Sequence, residues 1–344
     1  MCGIVAVTGY KKALPLLMNG LEKLEYRGYD SAGIAIVNSE TKNIICNKAE
    51  GKLKNLIKNL NDKNMPGTVG IGHTRWATHG KPEIKNAHPH TNSSGTIAVV
   101  QNGIIENFQD LKNKLQKEGV IFNSDTDTEV IPHLIQRELN TLSKLNLDKN
   151  GSTLLVAVRN VISDLEGSYA LAVLWADAPT ALVVARRQAP LIIGLGEGEF
   201  ICASDTPAIA NFTNIILPME DEEIALLTPL GIEIYDSNNE RQYRSPVSLK
   251  VSEQIMDKMN FKHYMLKEIY DQPETAKNWL KNYLIKNLES GQYQINYPFD
   301  TKFFESIERI EIIACGTSKH AAMVGKFLLE QFSGIPTNVF YASE

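Results

Sequence analysis

Cysteine is scarce: four in 344 residues, at Cys2, Cys46, Cys202 and Cys315. They lie far apart and form no Cys-x-x-Cys pair, which excludes a disulfide framework and the usual zinc and dithiol patterns. Reduced thiols in a cytoplasmic protein are the reading. Also missing is any uncharged apolar run near the roughly 20 residues needed to cross a bilayer. The start, MCGIVAVTGYKK, has no basic segment ahead of its short apolar stretch and no small-residue cleavage site after it. Neither secretion nor a membrane partner is expected. A basic excess is absent too, since 35 Lys and Arg face 40 Asp and Glu for a formal net charge of -5. That leaves no field to neutralise a phosphate backbone, and nucleic acid is not an expected partner. No internal repeat or low-complexity tract occurs.

What is present is ordinary globular material, 43% hydrophobic and 22% charged, in a length suited to about two domains. Strand candidates rich in β-branched residues cover Ala32 to Val37, Thr96 to Gln101, Tyr169 to Trp175, Ala181 to Ala185 and Phe200 to Ala203. Several are apolar at consecutive positions, as in sheets covered on both faces. Leu14, Leu17, Leu21 and Leu24 repeat at helical spacing, as do Leu53, Leu56, Ile57 and Leu60, and Val130, Ile131, Leu134 and Ile135. Short turns such as Ala176 to Pro179 and Gly196 to Gly198 join consecutive strand runs and imply antiparallel pairing. The fold class is α+β, with layered antiparallel sheets rather than a doubly wound nucleotide fold. A polar stretch from Ser237 reads as an interdomain linker and a helical segment runs from His263 to Leu288. Strand, turn and helix then follow in RIEIIACGTSKHAAM. The domain expectation is therefore 2–235, a linker and connecting helix over 236–289, and the start of an α/β domain over 290–344.

Cys2 follows a removable initiator Met. Removal would leave the thiol beside a free α-amino group of ordinary pKa about 7.7 to 8, able to take the thiol proton and return it to a leaving amine. By position alone Cys2 also suits a small buried hydrophobe at a strand start. Asn102-Gly103 after a β run signals a type I′ hairpin turn, and Asp127, just ahead of the Val130 run, suits a helix N-cap. Arg75 taken singly suits a surface ion pair. His73, His79, His88 and His90 have no zinc spacing, so no metal is expected.

These residues stand in a pattern. Cys2-Gly3-Ile4-Val5, Gly72-His73-Thr74-Arg75-Trp76-Ala77-Thr78-His79-Gly80, Gln101-Asn102-Gly103-Ile104-Ile105-Glu106-Asn107 and Ser124-Asp125-Thr126-Asp127-Thr128-Glu129 occur in this order. The set resembles the class II glutamine amidotransferases. That resemblance implies an N-terminal-nucleophile hydrolase, a four-layer sandwich with two antiparallel sheets between helical layers. It implies Cys2 as nucleophile, and the Asn102 side-chain amide and Gly103 N–H as oxyanion donors. L-glutamine would then be held by Arg75 at its carboxylate and Asp127 at its ammonium, with Trp76, Thr78 and His79 shaping the pocket. Both charge pairings are chemically apt, since a planar guanidinium matches a carboxylate.

Two further segments bear on the acceptor. Leu24-Glu25-Tyr26-Arg27-Gly28-Tyr29-Asp30-Ser31-Ala32-Gly33 resembles the aminotransferases that make glucosamine 6-phosphate. Ile312-Ile313-Ala314-Cys315-Gly316-Thr317-Ser318 opens a helix after a strand, which suits a phosphate at Thr317 and Ser318, although capping alone would also explain it. Its position resembles the first sugar-isomerase (SIS) domain of those enzymes, and His263 to Pro273 resembles their domain junction. The resemblance implies D-fructose 6-phosphate as the second substrate, D-glucosamine 6-phosphate and L-glutamate as products, no cofactor, and a homodimer for the full-length enzyme. Those enzymes carry a second SIS domain, whereas this sequence stops within the first, so a fragment of a longer enzyme is expected. The competing readings are a glutaminase domain serving another acceptor, as in phosphoribosyl pyrophosphate amidotransferase or asparagine synthetase, and a non-catalytic sugar-phosphate-binding regulator.

Overall fold

The computed structural model describes residues 2–60, 65–77, 80–249, 261–286, 293–295 and 301–342. It divides into two compact units, Met1–Asp257 and Lys258–Glu344.

In the first unit the strands are β1 (Gly3–Gly9), β2 (Ser31–Asn38), β3 (Asn43–Glu50), β4 (Val69–Arg75), β5 (His90–Thr91), β6 (Ile97–Ile105), β7 (Gly167–Trp175), β8 (Leu182–Arg187), β9 (Ile192–Leu195), β10 (Glu199–Ala203), β11 (Ile215–Pro218), β12 (Ile224–Thr228), β13 (Gly231–Tyr235), β14 (Arg241–Gln242) and β15 (Val247–Ser248). The helices are α1 (Ala13–Leu24), α2 (Leu53–Leu60), α3 (Phe108–Lys117), α4 (Val130–Lys144) and α5 (Gly151–Ser163). One sheet has the order β15-β11-β9-β10-β1-β4-β2-β3, the other β14-β13-β12-β8-β7-β6-β5, and neighbouring strands run antiparallel.

The consecutive apolar runs are explained by burial on both faces. Because side chains alternate across a strand, Val5 and Val7 of β1 and Ile34 and Ile36 of β2 face outward, packed with Leu17, Leu21 and Leu24 of α1 and Leu53 and Leu56 of α2. The intervening Ile4, Ala6, Ala35 and Val37 face inward and meet Ala98 and Val100 of β6 and Ala170, Ala172 and Leu174 of β7. The outward residues of that second sheet, among them Ile97, Val99, Leu171 and Val173, pack on α3, α4 and α5. Helix, sheet, sheet and helix thus make four layers with three buried apolar interfaces. Many inner-face positions are alanine, which lets the two sheets approach closely.

The polar stretch from Ser237 to residue 249, read from sequence as linker, contributes β14 and β15 to the two sheets. Both are short edge strands, and edges tolerate polar residues because one side faces water. Arg244 also anchors this segment through a buried Glu223 carboxylate.

The second unit contains α6 (Tyr264–Tyr283), β16 (Leu284–Lys286), β17 (Tyr293–Ile295), α7 (Thr301–Glu305), β18 (Ile310–Ala314), α8 (Gly316–Ser333) and β19 (Thr337–Tyr341). The expected helix to Leu288 ends at Tyr283, and Leu284 to Lys286 instead pairs antiparallel with β17; Asn287 and Leu288 lie outside the described residues. Strands β18 and β19 are parallel, joined by α8 in a β-α-β unit as the strand-turn-helix pattern anticipated.

Candidate active site

Strand alternation carries functional residues to the rim of the inter-sheet layer. In β4, Val69 and Ile71 are inward core residues, and the same parity continues to His73 and Arg75. In β6 the inward series Ala98 and Val100 continues to Asn102, and in β1 the series Ala6 and Ile4 extends backward to Cys2. The apolar core therefore passes into a polar cluster fed by both sheets.

The half-buried Cys2 sits directly under the end of β4. Its Sγ accepts the Trp76 N–H at 3.2 Å and lies 3.3 Å from the Trp76 carbonyl. Burial pushes the thiol up from its ordinary value, while the Trp76 N–H and the Arg75 charge oppose that rise. The Asn102 side-chain amide reaches across from the other sheet and donates through Nδ2 to the Cys2 carbonyl at 3.1 Å. Its Oδ1 lies 3.0 Å from His73 Nε2.

Gly103 is exposed within β6 and has φ of 106°. A Cβ there would lie 2.1 Å from the Ser168 carbonyl oxygen, so only glycine fits. Asn102-Gly103 is not the expected hairpin turn. The strand runs on to Ile105, paired with β7 from Ile97 through Ile105, and this long ladder overrides the local turn preference. Gly103 supplies instead a positive-φ break inside a strand, which re-aims the backbone at the site.

Arg75 is buried, and its guanidinium donates to the carbonyls of Lys81 at 3.3 Å and Gly80 at 3.4 Å. Burial lowers its pKa, countered by the charges of Cys2, Asp30 and Asp127, so these four groups share one electrostatic neighbourhood. Asp127 is buried but does not cap α4, whose N-cap residue is Glu129. Its Oδ2 accepts the Ile105 N–H at 2.8 Å, which fixes it beside the end of β6. Trp76 is 46% exposed and meets Tyr29 edge to face at 5.9 Å. Thr78 and His79 lie outside the described residues. Thr317 and Ser318 are exposed in the first turn of α8, in the second unit.

Sequence reasoning missed the supporting residues. Asp30 accepts the Ala77 N–H at 2.9 Å, while its own N–H donates to the Arg75 carbonyl at 3.0 Å, so it staples the chain leaving β4. Gly28 packs against that same backbone, where a Cβ would lie 2.6 Å from the Arg75 carbonyl carbon. The histidines form a buried row: His73 stacks on His88 at 4.2 Å, and His88 meets His90 edge to face at 4.7 Å. Burial pushes His73 down to about 3 and the other two well below their ordinary value, so all are neutral at pH 7. His88 Nδ1 accepts the Gln101 N–H at 3.2 Å, and Gln101 Oε1 accepts the Thr128 hydroxyl at 2.7 Å. A sequence signal did exist, since His73 shares the parity of Arg75.

Residues 73–211 match a glutamine amidotransferase domain family. Among curated relatives, the glutamine–fructose-6-phosphate aminotransferases (isomerizing) of Thermosynechococcus vestitus and Aquifex aeolicus are 51% and 47% identical over 100% of this chain and 54% of their own lengths. The chain thus spans about half the length of these relatives. Among solved structures, a B. subtilis glutamine phosphoribosylpyrophosphate amidotransferase complexed with ADP and GMP has a TM-score of 0.58 at 21% identity, covering 98% of this chain and 65% of that one. An allosteric regulatory enzyme of purine biosynthesis has a TM-score of 0.60 at 22% identity, covering 99% and 80%. At that identity the likeness concerns the fold alone, an α+β sandwich of two antiparallel sheets between helical layers.

Proposed function

We propose, for a chain that belongs to the glutamine–fructose-6-phosphate aminotransferase family, that its first unit hydrolyses glutamine at Cys2 and feeds ammonia to D-fructose 6-phosphate in the complete enzyme. The observation that carries this reading is the convergence of Cys2, Asn102, Arg75 and Asp127 at the rim between two sheets, from four separated stretches of sequence.

With Met1 removed, the Cys2 α-amine takes the thiol proton and Sγ attacks the glutamine carboxamide carbon. The carbonyl oxygen becomes an oxyanion facing donors already in place, a second N–H of Asn102 Nδ2 and the Gly103 N–H. As the tetrahedral centre collapses, its C–N bond breaks and the α-ammonium returns the proton to the leaving nitrogen, which departs as ammonia. Water then attacks the glutamyl thioester, giving glutamate and regenerating the thiol. Arg75 pairs with the glutamine α-carboxylate and Asp127 with its α-ammonium, beside the exposed Trp76. The same reading gives Thr78 and His79 to that pocket.

The second unit takes the sugar phosphate, with Thr317 and Ser318 at the α8 N-terminus contributing to the phosphate site. Products of the complete reaction are D-glucosamine 6-phosphate and L-glutamate, made without a cofactor by a cytoplasmic homodimer. Four free cysteines accord with a reducing compartment, and no helix among the described residues is long and apolar enough to cross a membrane.

The test is glutamate release from glutamine by the purified chain. Cys2→Ala and Cys2→Ser should abolish it while leaving the thermal melt in place, and active protein should show Cys2 at its N-terminus by mass spectrometry. Hydrolysis persisting in Cys2→Ala would remove the nucleophile from this assignment.

A further inference from the structure

The orientation of the Asn102 amide is the least secure element of such an oxyanion site. An amide is nearly symmetric in shape, so rotation by half a turn would exchange Nδ2 for Oδ1 and set an acceptor against the developing negative charge. Two contacts decide the matter. The Cys2 carbonyl can only accept, so the amide atom facing it at 3.1 Å must be nitrogen. The other amide atom, Oδ1, then faces His73 Nε2 at 3.0 Å, and that Nε2 must carry the hydrogen.

Of these two contacts, the one to Cys2 belongs to the residue that is acylated and released in each turnover. The one to His73 belongs to a fully buried strand residue. The His73 ring cannot easily turn, because it stacks on His88 with an interplanar angle of 13°. His88 is itself engaged by the Gln101 N–H, from the residue preceding Asn102. We propose that His73 is a positioning residue for glutamine hydrolysis: as a fixed Nε2–H donor bridging the two sheets, it locks the Asn102 amide with one N–H on the Cys2 carbonyl and the second toward the oxyanion. This inference rests on the glutaminase reading above. Burial supports it independently, because a ring held neutral keeps a single proton that the Asn102 contact assigns to Nε2.

Steady-state glutamine hydrolysis by the full chain tests it in five variants. Glutamine places its Nε2 the same number of bonds from Cβ as histidine does, so His73→Gln should keep kcat within about threefold of wild type. His73→Leu and the shorter His73→Asn should lower kcat about 10- to 100-fold, below the 10²- to 10³-fold loss typical of deleting an oxyanion donor outright. KM for glutamine and the rate of Cys2 alkylation by iodoacetamide should move by less than about threefold. In the Asn102→Ala background, His73→Leu should cause no additional loss, because its partner is gone.

If Asn102→Ala itself hydrolyses glutamine at the wild-type rate, the oxyanion assignment fails and the proposal goes with it. If Asn102→Ala collapses while His73→Leu remains active, or the two losses multiply, the positioning role alone is overturned. Should His73→Leu fail to fold, the comparison of His73→Gln with His73→Asn decides, and equal kcat values for those two would sink the proposal.

Discussion

Arg75 and Asp127 lie 52 positions apart in sequence yet share one electrostatic neighbourhood, a buried cation and a buried anion each held in place by backbone hydrogen bonds. A free glutamine presents both complementary charges at its α-carbon. Arg75→Ala should therefore lower kcat/KM for glutamine about 30- to 100-fold, the equivalent of about 2 to 2.7 kcal/mol for a lost charge-assisted contact. Arg75→Lys should recover little, because an ammonium cannot match a carboxylate with two parallel donors. Unchanged glutamine kinetics in Arg75→Ala would place the substrate elsewhere. At this scale position alone was a poor guide, since it suited a small buried hydrophobe for Cys2 and a surface ion pair for Arg75, which is buried instead. Only the surrounding motifs singled the two out. The sequence was silent about Asp30 and Gln101, whose roles are hydrogen bonds to backbone that only the folded register brings near.

Strand β6 shows how an element can be legible in part. Its β-branched start at Ile97 announced a strand, whereas Asn102-Gly103 announced a turn, and the nine-residue ladder with β7 settled the conflict in favour of the strand. Long-range pairing of this kind leaves no local mark, just as β14 and β15 leave none in a polar stretch. The helices α1, α2 and α4 were easier, because a 3.6-residue apolar period survives in any context. Glycine at 103 is a requirement of the element rather than of chemistry alone. Gly103→Ala should cost at least about 2 kcal/mol through positive-φ strain and the Ser168 clash, read as a lowered urea midpoint. A wild-type midpoint would mean that β6 can relax there.

For the whole first unit, the buried histidine row predicts a specific acid weakness. Each of His73, His88 and His90 has a folded pKa below its unfolded value of about 6.5. The unfolded chain therefore binds protons that the folded chain refuses. Their stabilising contribution is complete above about pH 6.5 and declines as pH falls, by up to about 1.4 kcal/mol per pH unit for each group; for His73 the decline extends toward about 3. The urea midpoint should be level from pH 8 to 7 and drop clearly by pH 5. A midpoint that is unchanged at pH 5 would mean that the row is hydrated and protonates in place.

Cys2, the proposed nucleophile, hangs from one sheet and the Asn102 amide proposed to serve it from the other, so the gap between them is the jaw of a caliper whose width is set by packing. The layer that sets this width is lined by Ala6, Ala35, Ala98 and Ala172, which belong to its buried apolar core. Thickening it by one side chain would open the jaw at Cys2 and Asn102 without altering either residue. Ala98→Val and Ala172→Val should consequently lose kcat out of proportion to any fall in melting temperature, and a small-to-large change deep in an apolar layer becomes a graded control on turnover.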